Sequence, residues 1–572
     1  MTRAKFVFFC IIFLFLVLVS GLLNLMVAQG AKLRQLSQKN CIRLVSQAGC
    51  RGKIVDREGR VVAGNKLSYD LLVLPQEAIQ AGYSSLEGIA AVLAVSPKGL
   101  FKAYQDGYIA PSIPVAIARN IAIDKAIALE ELKIEIPGII IQPNPRRDYP
   151  YGSLASHLIG YVSEIDSWRL TKLASYGYKT KDIVGFGGVE ERYDYYLRQE
   201  EGGVSSVVDH RGRFVKLLGF KLPLNGKDIQ LTIDIRMQRI AEEKIAGKKG
   251  CAIILAPYTG EVLALASSPG FDPAVFADKS QAGINNFLND PRGPMFNRAI
   301  SGAYPAGSLF KLVVAVSGLE TKKINPSTSF FCPGSIAIGR QEFKCWGKHG
   351  QQNLTEAIAH SCNVFFYKSG LLAGAQNLHD YALKLGLSKT TSFELPYEAA
   401  GFIPSPLWRK INKLQNWYDG DTANFAIGQG EVLVTPLQMA RMMAAFANGG
   451  FLPAPYIVKA VDGRDLSSLQ QKFTRLPFKK NTLGHIRKGL EEVVADREGT
   501  GNVLSGAGTP VAGKTGTAQA PPAQAHAWFT GYFPIEKPKF VICVFLENGG
   551  PGYYACIIAR QIIEAMNGEG LI

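Results

Sequence analysis

At 572 residues the chain is too long for one ordinary hydrophobic core, and two or three domains are expected. Lys and Arg number 63 against 47 Asp and Glu, a formal charge of +16, yet the excess is spread along the chain and no nucleic-acid-binding motif accompanies it. What remains is a solvated basic surface or attraction to an anionic membrane or wall polymer, with no low-complexity tract or repeat to suggest another class.

From Phe6 to Ala28 the residues are apolar except Ser20, Gly21 and Asn24, with Arg3 and Lys5 in front. That is about the length a bilayer requires and longer than a signal-peptide core. Ala28-Gln-Gly30 also reads as a cleavage site, so a removed signal peptide is the rival to the uncleaved anchor favoured here. Lys32, Arg34, Lys39 and Arg43 follow the apolar run, so the positive-inside rule leaves orientation open. Next, Ile54 and Val61-Val62 flank a Glu58-Gly59 turn and predict a short hairpin. Helical periods, such as Ser85 to Ala94 and Asp124 to Leu132, set residues 70–145 apart as an inserted lobe. The stretches Arg147–Val162 and Gly188-Val-Glu190 carry no chemistry and read as scaffold.

A linker near Leu222-Pro-Leu-Asn-Gly226 leads to a strand at Ile229–Asp234 and a helix from Ile235. Strands at Cys251–Ala256 and Glu261–Ala266 turn at Pro257-Tyr-Thr-Gly260, and a late strand covers Phe540 to Glu547. With a largely helical middle, this predicts one α+β domain over residues 225–572, an antiparallel sheet covered by helices.

Within that domain, Tyr304–Leu319 reads as a tight turn (Pro305, Gly307) feeding a helix from about Ser308 that is apolar on every side and therefore buried. Ser308 and Lys311 interrupt it one turn apart on one face. Burial lowers a lysine toward its neutral amine, and a neutral amine beside a hydroxyl makes an activated nucleophile. Alone, S-x-x-K is common. Ser361-Cys-Asn363 follows on a helical stretch, and Lys514-Thr-Gly-Thr517 follows a strand-like Pro510–Gly513, its glycines letting a ligand approach the strand closely.

The ordered set S-x-x-K, S-x-N, K-T-G is far more specific than its parts, and with it the chain resembles the class B penicillin-binding proteins, elongation type. Arg51–Ala63, Arg147–Val162 and Gly188-Val-Glu190 resemble that family's non-catalytic pedestal. Gly428-Gln-Gly430, Thr435-Pro-Leu-Gln438, His526-Ala-Trp-Phe529 and Glu547-Asn-Gly549 resemble the catalytic domain. Ala306 stands where that family usually has proline, and Leu309 where it usually has threonine or another residue. The resemblance implies a cytoplasmic tail (residues 1–5), an anchor (6–28), a pedestal (29–222) and a transpeptidase domain (225–572). It implies a single-pass inner-membrane protein with its catalytic domain on the periplasmic side, crosslinking wall peptides during elongation. Ser308 would be the nucleophile, Lys311 its base and Ser361 the proton relay bridging Lys311 and Lys514. Asn363 would hold the substrate amide. Thr515 and Thr517, around Gly516, would bind the terminal carboxylate with Lys514 supplying charge, and the N–H groups of Ser308 and Thr517 would form the oxyanion hole. Partners implied are stem pentapeptides on lipid II-derived glycan strands, β-lactams, a RodA-type membrane glycosyltransferase and other elongation-complex proteins; no catalytic cofactor and no nucleic acid are implied. A septal transpeptidase, a β-lactamase and a non-enzymatic β-lactam sensor or wall-binding scaffold are the alternatives. His360 is set aside as a catalytic base, because it has no evident Asp partner and points away from its neighbour Ser361.

Cys332, Cys345, His349 and Cys362 sit between the first two motifs at spacings of 12, 3 and 12 residues. A Cys₃His set suits a structural zinc, and a Cys332–Cys345 disulfide is the rival in an exported protein. Cys41 and Cys50 form a second candidate pair, while Cys251, Cys543 and Cys556 read as core thiols.

Overall fold

The structure, a computed structural model, describes residues 3–30, 33, 42–47, 49–75, 84–108, 114–136, 138–208 and 214–572. The chain divides into two compact units. One holds Met1–Arg51, Asn65–Arg146 and Gln199–Gly226; the other holds Gly52–Gly64, Arg147–Arg198 and Lys227–Ile572. This division does not run along the single boundary near residue 222. The hairpin and the Arg147–Arg198 return belong to the same compact unit as the C-terminal residues.

In the first unit a helix spans Arg3–Leu23 and continues into a π-turn at Asn24–Ala28. The stretch Lys5–Ala28 has a mean hydropathy of 3.1 and buries nothing. At about 1.5 Å per residue it reaches roughly 36 Å, enough for a bilayer core of about 30 Å. The lobe has helices at Ser84–Leu93, Pro97–Gly107 and Ile123–Glu131, close to the predicted periods, and a core of its own around Leu71, Ile89, Leu100, Val115, Leu129 and Ile139. Ile42–Gln47, Gly202–Val208 and Phe214–Lys221 form an antiparallel sheet. Cys41, one half of the second candidate cysteine pair, lies outside the described residues.

In the second unit the predicted hairpin is present, with Ile54 opposite Ala63 and Gly59 at φ +83° in its turn. Arg147 Nε donates to Glu190 Oε1 at 2.6 Å and its Nη1 donates to the Gly52 carbonyl at 2.7 Å, all buried. Removing either partner of such a pair strands a buried charge, at a cost of about 3–5 kcal/mol. The scaffold stretches are thus clamped together by charge.

The rest of this unit is built in chain order from α1 (Ile235–Ile245), β1 (Gly250–Leu255), β2 (Val262–Ser268), α2 (Lys311–Glu320), α3 (Leu354–Ala359), α4 (Asn363–Ala373) and α5 (Pro436–Ala447). It continues with α6 (Lys480–Ala495), β3 (Ala512–Ala520), β4 (Ala523–Phe533), β5 (Phe540–Leu546) and α7 (Gly552–Gly568). The strands form one antiparallel sheet in the order β2-β1-β5-β4-β3. Every residue of β1, β2 and β5 is buried, so helices cover both faces. α1, α5 and α7 pack against the sheet, and α6 packs against its edge strand β3. This is the expected α+β fold. α2 is buried from Lys311 through Gly318, and each of its apolar side chains contributes about 1.5–3 kcal/mol by leaving water. A helix held that firmly fixes whatever projects from its first turn.

Candidate active site

The first motif begins one turn before α2. Gly307–Phe310 form a 3₁₀ turn that runs directly into the helix. In that geometry side chains three apart nearly eclipse, which sets Ser308 and Lys311 on one face. Gly307 has φ +54°, and a Cβ there would lie 2.8 Å from the Thr517 carbonyl oxygen. Glycine therefore lets the nucleophile turn press against β3. Behind it, Gly428 accepts the Gly307 N–H at 3.0 Å, and a Cβ on Gly428 would meet the Gly307 oxygen at 2.2 Å. The Gly428-Gln-Gly430 stretch is thus the rear wall of the turn. Ser308 is half-buried, while Lys311 is fully buried.

The second motif sits in the break between α3 and α4, where Ser361 is a non-glycine residue at φ +52°. Lys311 Nζ donates to Asn363 Oδ1 at 2.6 Å, to the Ser361 carbonyl at 2.7 Å and to Ser361 Oγ at 3.1 Å. Burial lowers Lys311 to about 8, against a pull upward from the Cys345 and Cys362 sulfurs. Asn363, expected to hold a substrate amide, gives its oxygen to Lys311 and its Nδ2 to the Lys344 carbonyl at 3.2 Å.

The third motif lies on β3. Lys514 is fully buried and donates to the Thr515 carbonyl at 3.2 Å. Burial first, and the nearby Lys311 second, push it well below an ordinary lysine. Among the described residues no hydrogen bond joins Lys514 to Ser361, so the expected bridge has only its Lys311 half. Thr517 Oγ1 accepts the Gly552 N–H at 2.9 Å, which leaves its own proton free to donate to a ligand. Thr515 Oγ1 lies 2.8 Å from Thr500 Oγ1.

Thr500 was invisible from the sequence, as was its neighbour loop. Its N–H and hydroxyl both reach the Ala359 carbonyl, each at 3.2 Å, tying the second motif's helix to the third motif's strand. His360 does have an aspartate, Asp496, at 3.0 Å, and its other ring nitrogen meets Gln352 Oε1 at 2.8 Å. With both nitrogens engaged, neither is available to Ser361, and His360 is a strut.

The four candidate metal ligands converge. The Sγ atoms of Cys332, Cys345 and Cys362 and a ring nitrogen of His349 all lie within 4.8 Å of one another. His349 Nδ1 is 3.6 Å from Cys332 Sγ and 3.5 Å from Cys345 Sγ. The Cys332–Cys345 disulfide is not formed: both are free thiols facing the same imidazole. Cys345 Sγ also accepts the Asn363 N–H at 3.2 Å, so this cluster touches the second motif directly.

Residues 250–566 match the penicillin binding protein transpeptidase domain, and residues 46–231 match the penicillin-binding protein dimerisation domain. The chain is 32% identical to the peptidoglycan D,D-transpeptidase MrdA of Escherichia coli K12, over 98% of this chain and 93% of that one. Its fold is similar to that of penicillin-binding protein 2 of Helicobacter pylori, solved in complex with MreC, with a TM-score of 0.82, 28% identity and coverage of 93% and 99% of the two chains. It is also similar, at TM-score 0.76 and 30% identity over 99% and 98% of the chains, to a chain of a peptidoglycan synthase complex that coordinates polymerization and crosslinking.

Proposed function

The chain belongs to the class B penicillin-binding proteins, and from that premise we propose that it is an elongation-type peptidoglycan D,D-transpeptidase working through an acyl-enzyme on Ser308. The observation that carries the reading is the fully buried Lys311 amine, bonded to Ser361 and Asn363 and one 3₁₀ turn from the half-buried Ser308. Ser308 Oγ attacks the carbonyl between the terminal D-alanines while Lys311 takes its proton. The C–N bond breaks, and D-alanine leaves with a proton delivered through Ser361, which lies 3.1 Å from Lys311 Nζ. An amine of a neighbouring stem then attacks the ester, the crosslink forms and Ser308 recovers its proton. Thr517, with a free hydroxyl proton, and Thr515 receive the terminal carboxylate beside Gly516. Backbone N–H groups of Ser308 and Thr517 receive the oxyanion. The Asn363 amide turns from Lys344 to the substrate backbone. The incoming carboxylate favours the charged form of Lys514, against the burial that disfavours it.

The helix at Arg3–Leu23 anchors the protein in the inner membrane with its body on the periplasmic side, where the substrate is. An MreC-like protein and a polymerising subunit of a peptidoglycan synthase complex are the partners proposed from the relatives' complexes, and the RodA type of that polymerase is proposed from the family resemblance alone. The full chain, purified in detergent, is expected to form a covalent adduct with labelled penicillin at Ser308 and to lose it in Ser308→Ala. Labelling that survives the substitution rejects the mechanism.

Catalysis needs no metal, but Cys332, Cys345, His349 and Cys362 are proposed to hold a structural zinc. Zn–S bonds of about 2.3 Å and Zn–N of about 2.0–2.1 Å in a tetrahedron place sulfur and nitrogen roughly 3.5–3.6 Å apart. The two measured separations are 3.5 and 3.6 Å. The expected result of metal analysis is about one zinc per chain, lost in Cys332→Ser. Protein isolated without chelators that carries no zinc would end this part of the proposal.

A further inference from the structure

We infer that Trp346 is a positioning residue for the second motif: its indole N–H fixes the Ser361 carbonyl against which Lys311 is held. The inference rests on the acyl-enzyme reading above. Ser361 has φ +52°, a conformation costly for a side chain with a Cβ and kept only where its surroundings over-determine it. Its N–H makes one long bond, 3.3 Å to the Ile358 carbonyl, so the strain is held elsewhere.

It is held by the loop between the strands Gln341–Lys344 and Gly350–Gln352. Three consecutive residues, from the strand's last residue Lys344 into the loop at Trp346, grip the motif. The Lys344 carbonyl accepts from Asn363 Nδ2, and Cys345 Sγ accepts the Asn363 N–H, both at 3.2 Å. Trp346 Nε1 bridges two successive carbonyls, His360 at 2.9 Å and Ser361 at 3.3 Å. The Ser361 carbonyl is thus shared between the indole and Lys311 Nζ, the latter at 2.7 Å. The indole is two links from the general base.

Packing explains only part of the residue: its ring meets His349 edge-on with centroids 4.8 Å apart. Trp346 is 62% exposed, so most of the burial energy of a large aromatic is forgone. What its position secures is one N–H donor aimed at two carbonyls. Of the three gripping groups it is also the one that is neither a backbone carbonyl nor itself a candidate metal ligand, and because its ring meets His349 edge-on, the variants used to test it keep a ring there. Losing the donor releases the Ser361 carbonyl from one side, and Lys311 then loses the fixed acceptor that aligns it.

The test is acylation of the full chain in detergent by a chromogenic cephalosporin, resolved into the binding constant K and the rate constant k2. Trp346→Phe removes the donor and keeps a ring, while 3-benzothienylalanine at position 346 keeps the indole's shape and removes only the N–H. Both are expected to lower k2 about tenfold, the upper size for one lost hydrogen bond, with K within twofold and zinc content and thermal midpoint unchanged. Wild-type k2 in the benzothienyl protein overturns the inference, and so does a rise in K at constant k2, which would make the ring a binding surface. Ser308→Ala run alongside separates the two levels. If it still acylates, the acyl-enzyme reading is wrong; if it is silent while the benzothienyl protein reacts normally, only the role of Trp346 is wrong.

Discussion

Lys311, on the first-motif helix, and Lys514, on the third-motif strand, are buried to the same depth, each with no exposed surface. Their surroundings differ. Lys311 gives its protons to three oxygens of the second motif, whereas among the described residues Lys514 has a single acceptor, the carbonyl of its own neighbour Thr515. Burial lowers both, but the next influence on Lys311 is a pair of sulfurs that pull it back up, and the next on Lys514 is Lys311 itself, which pushes it further down. Depth alone therefore does not assign a role to a buried lysine. The partners do: one amine is wired in place as a base, and the other is left uncommitted until an anion arrives.

Substitutions that fill the space but remove the amine break this comparison most directly. Lys311→Met is expected to lower k2 for penicillin by about a thousandfold, within the usual range for a lost general base, and to leave K nearly unchanged. Lys514→Met is expected to cost less, about a hundredfold, and to show it chiefly in K, because a lost charge-assisted bond to a carboxylate weakens binding first. Stopped-flow acylation at a series of penicillin concentrations measures both. Equal losses, or a k2 effect confined to Lys514, would exchange the roles.

A pH profile sharpens the same contrast. The base must be neutral to accept the serine proton, and Lys311 sits at about 8. Below that value k2 is expected to rise about tenfold per pH unit and to level off above it, since each unit down removes nine-tenths of the neutral amine. A profile flat between pH 6 and 8 would mean that Lys311 is already neutral throughout, or that another group takes the proton.

Much of this site was legible in the sequence because its residues announce themselves by type and spacing. Ser308 and Lys311 break an apolar run at a helical interval, and α2 is buried as that run required. The α+β sheet followed from the strand pair at Cys251–Ala266 and the late strand at Phe540, which the register joins through Ile253 opposite Cys543. The Cys and His positions suggested a cluster, and the four side chains do come together around the His349 ring, whereas spacing alone could not choose between a disulfide and a shared centre. Asp496 and Thr500 were missed for a plain reason. Each acts on a residue more than 130 positions away, His360 or Ala359, through one polar atom, and no local period records such a contact.

Thr500 carries the smallest expected effect and the one with the least obvious sign. The Thr515 hydroxyl has one proton, and a ligand carboxylate needs it. While Thr500 directs its own proton to the Ala359 carbonyl, 3.2 Å away, it claims the Thr515 proton across 2.8 Å. Binding must then turn the Thr515 hydroxyl toward the ligand and leave Thr500 without its donor, at a cost of about 1 kcal/mol. Thr500→Val removes the claim, and the Thr500 N–H still reaches Ala359 to hold the loop. The valine protein is therefore expected to bind penicillin up to about fivefold more tightly in K with k2 unchanged. Weaker binding of similar size would mean the reverse arrangement, with Thr500 donating to Thr515 and aiming its proton into the cleft.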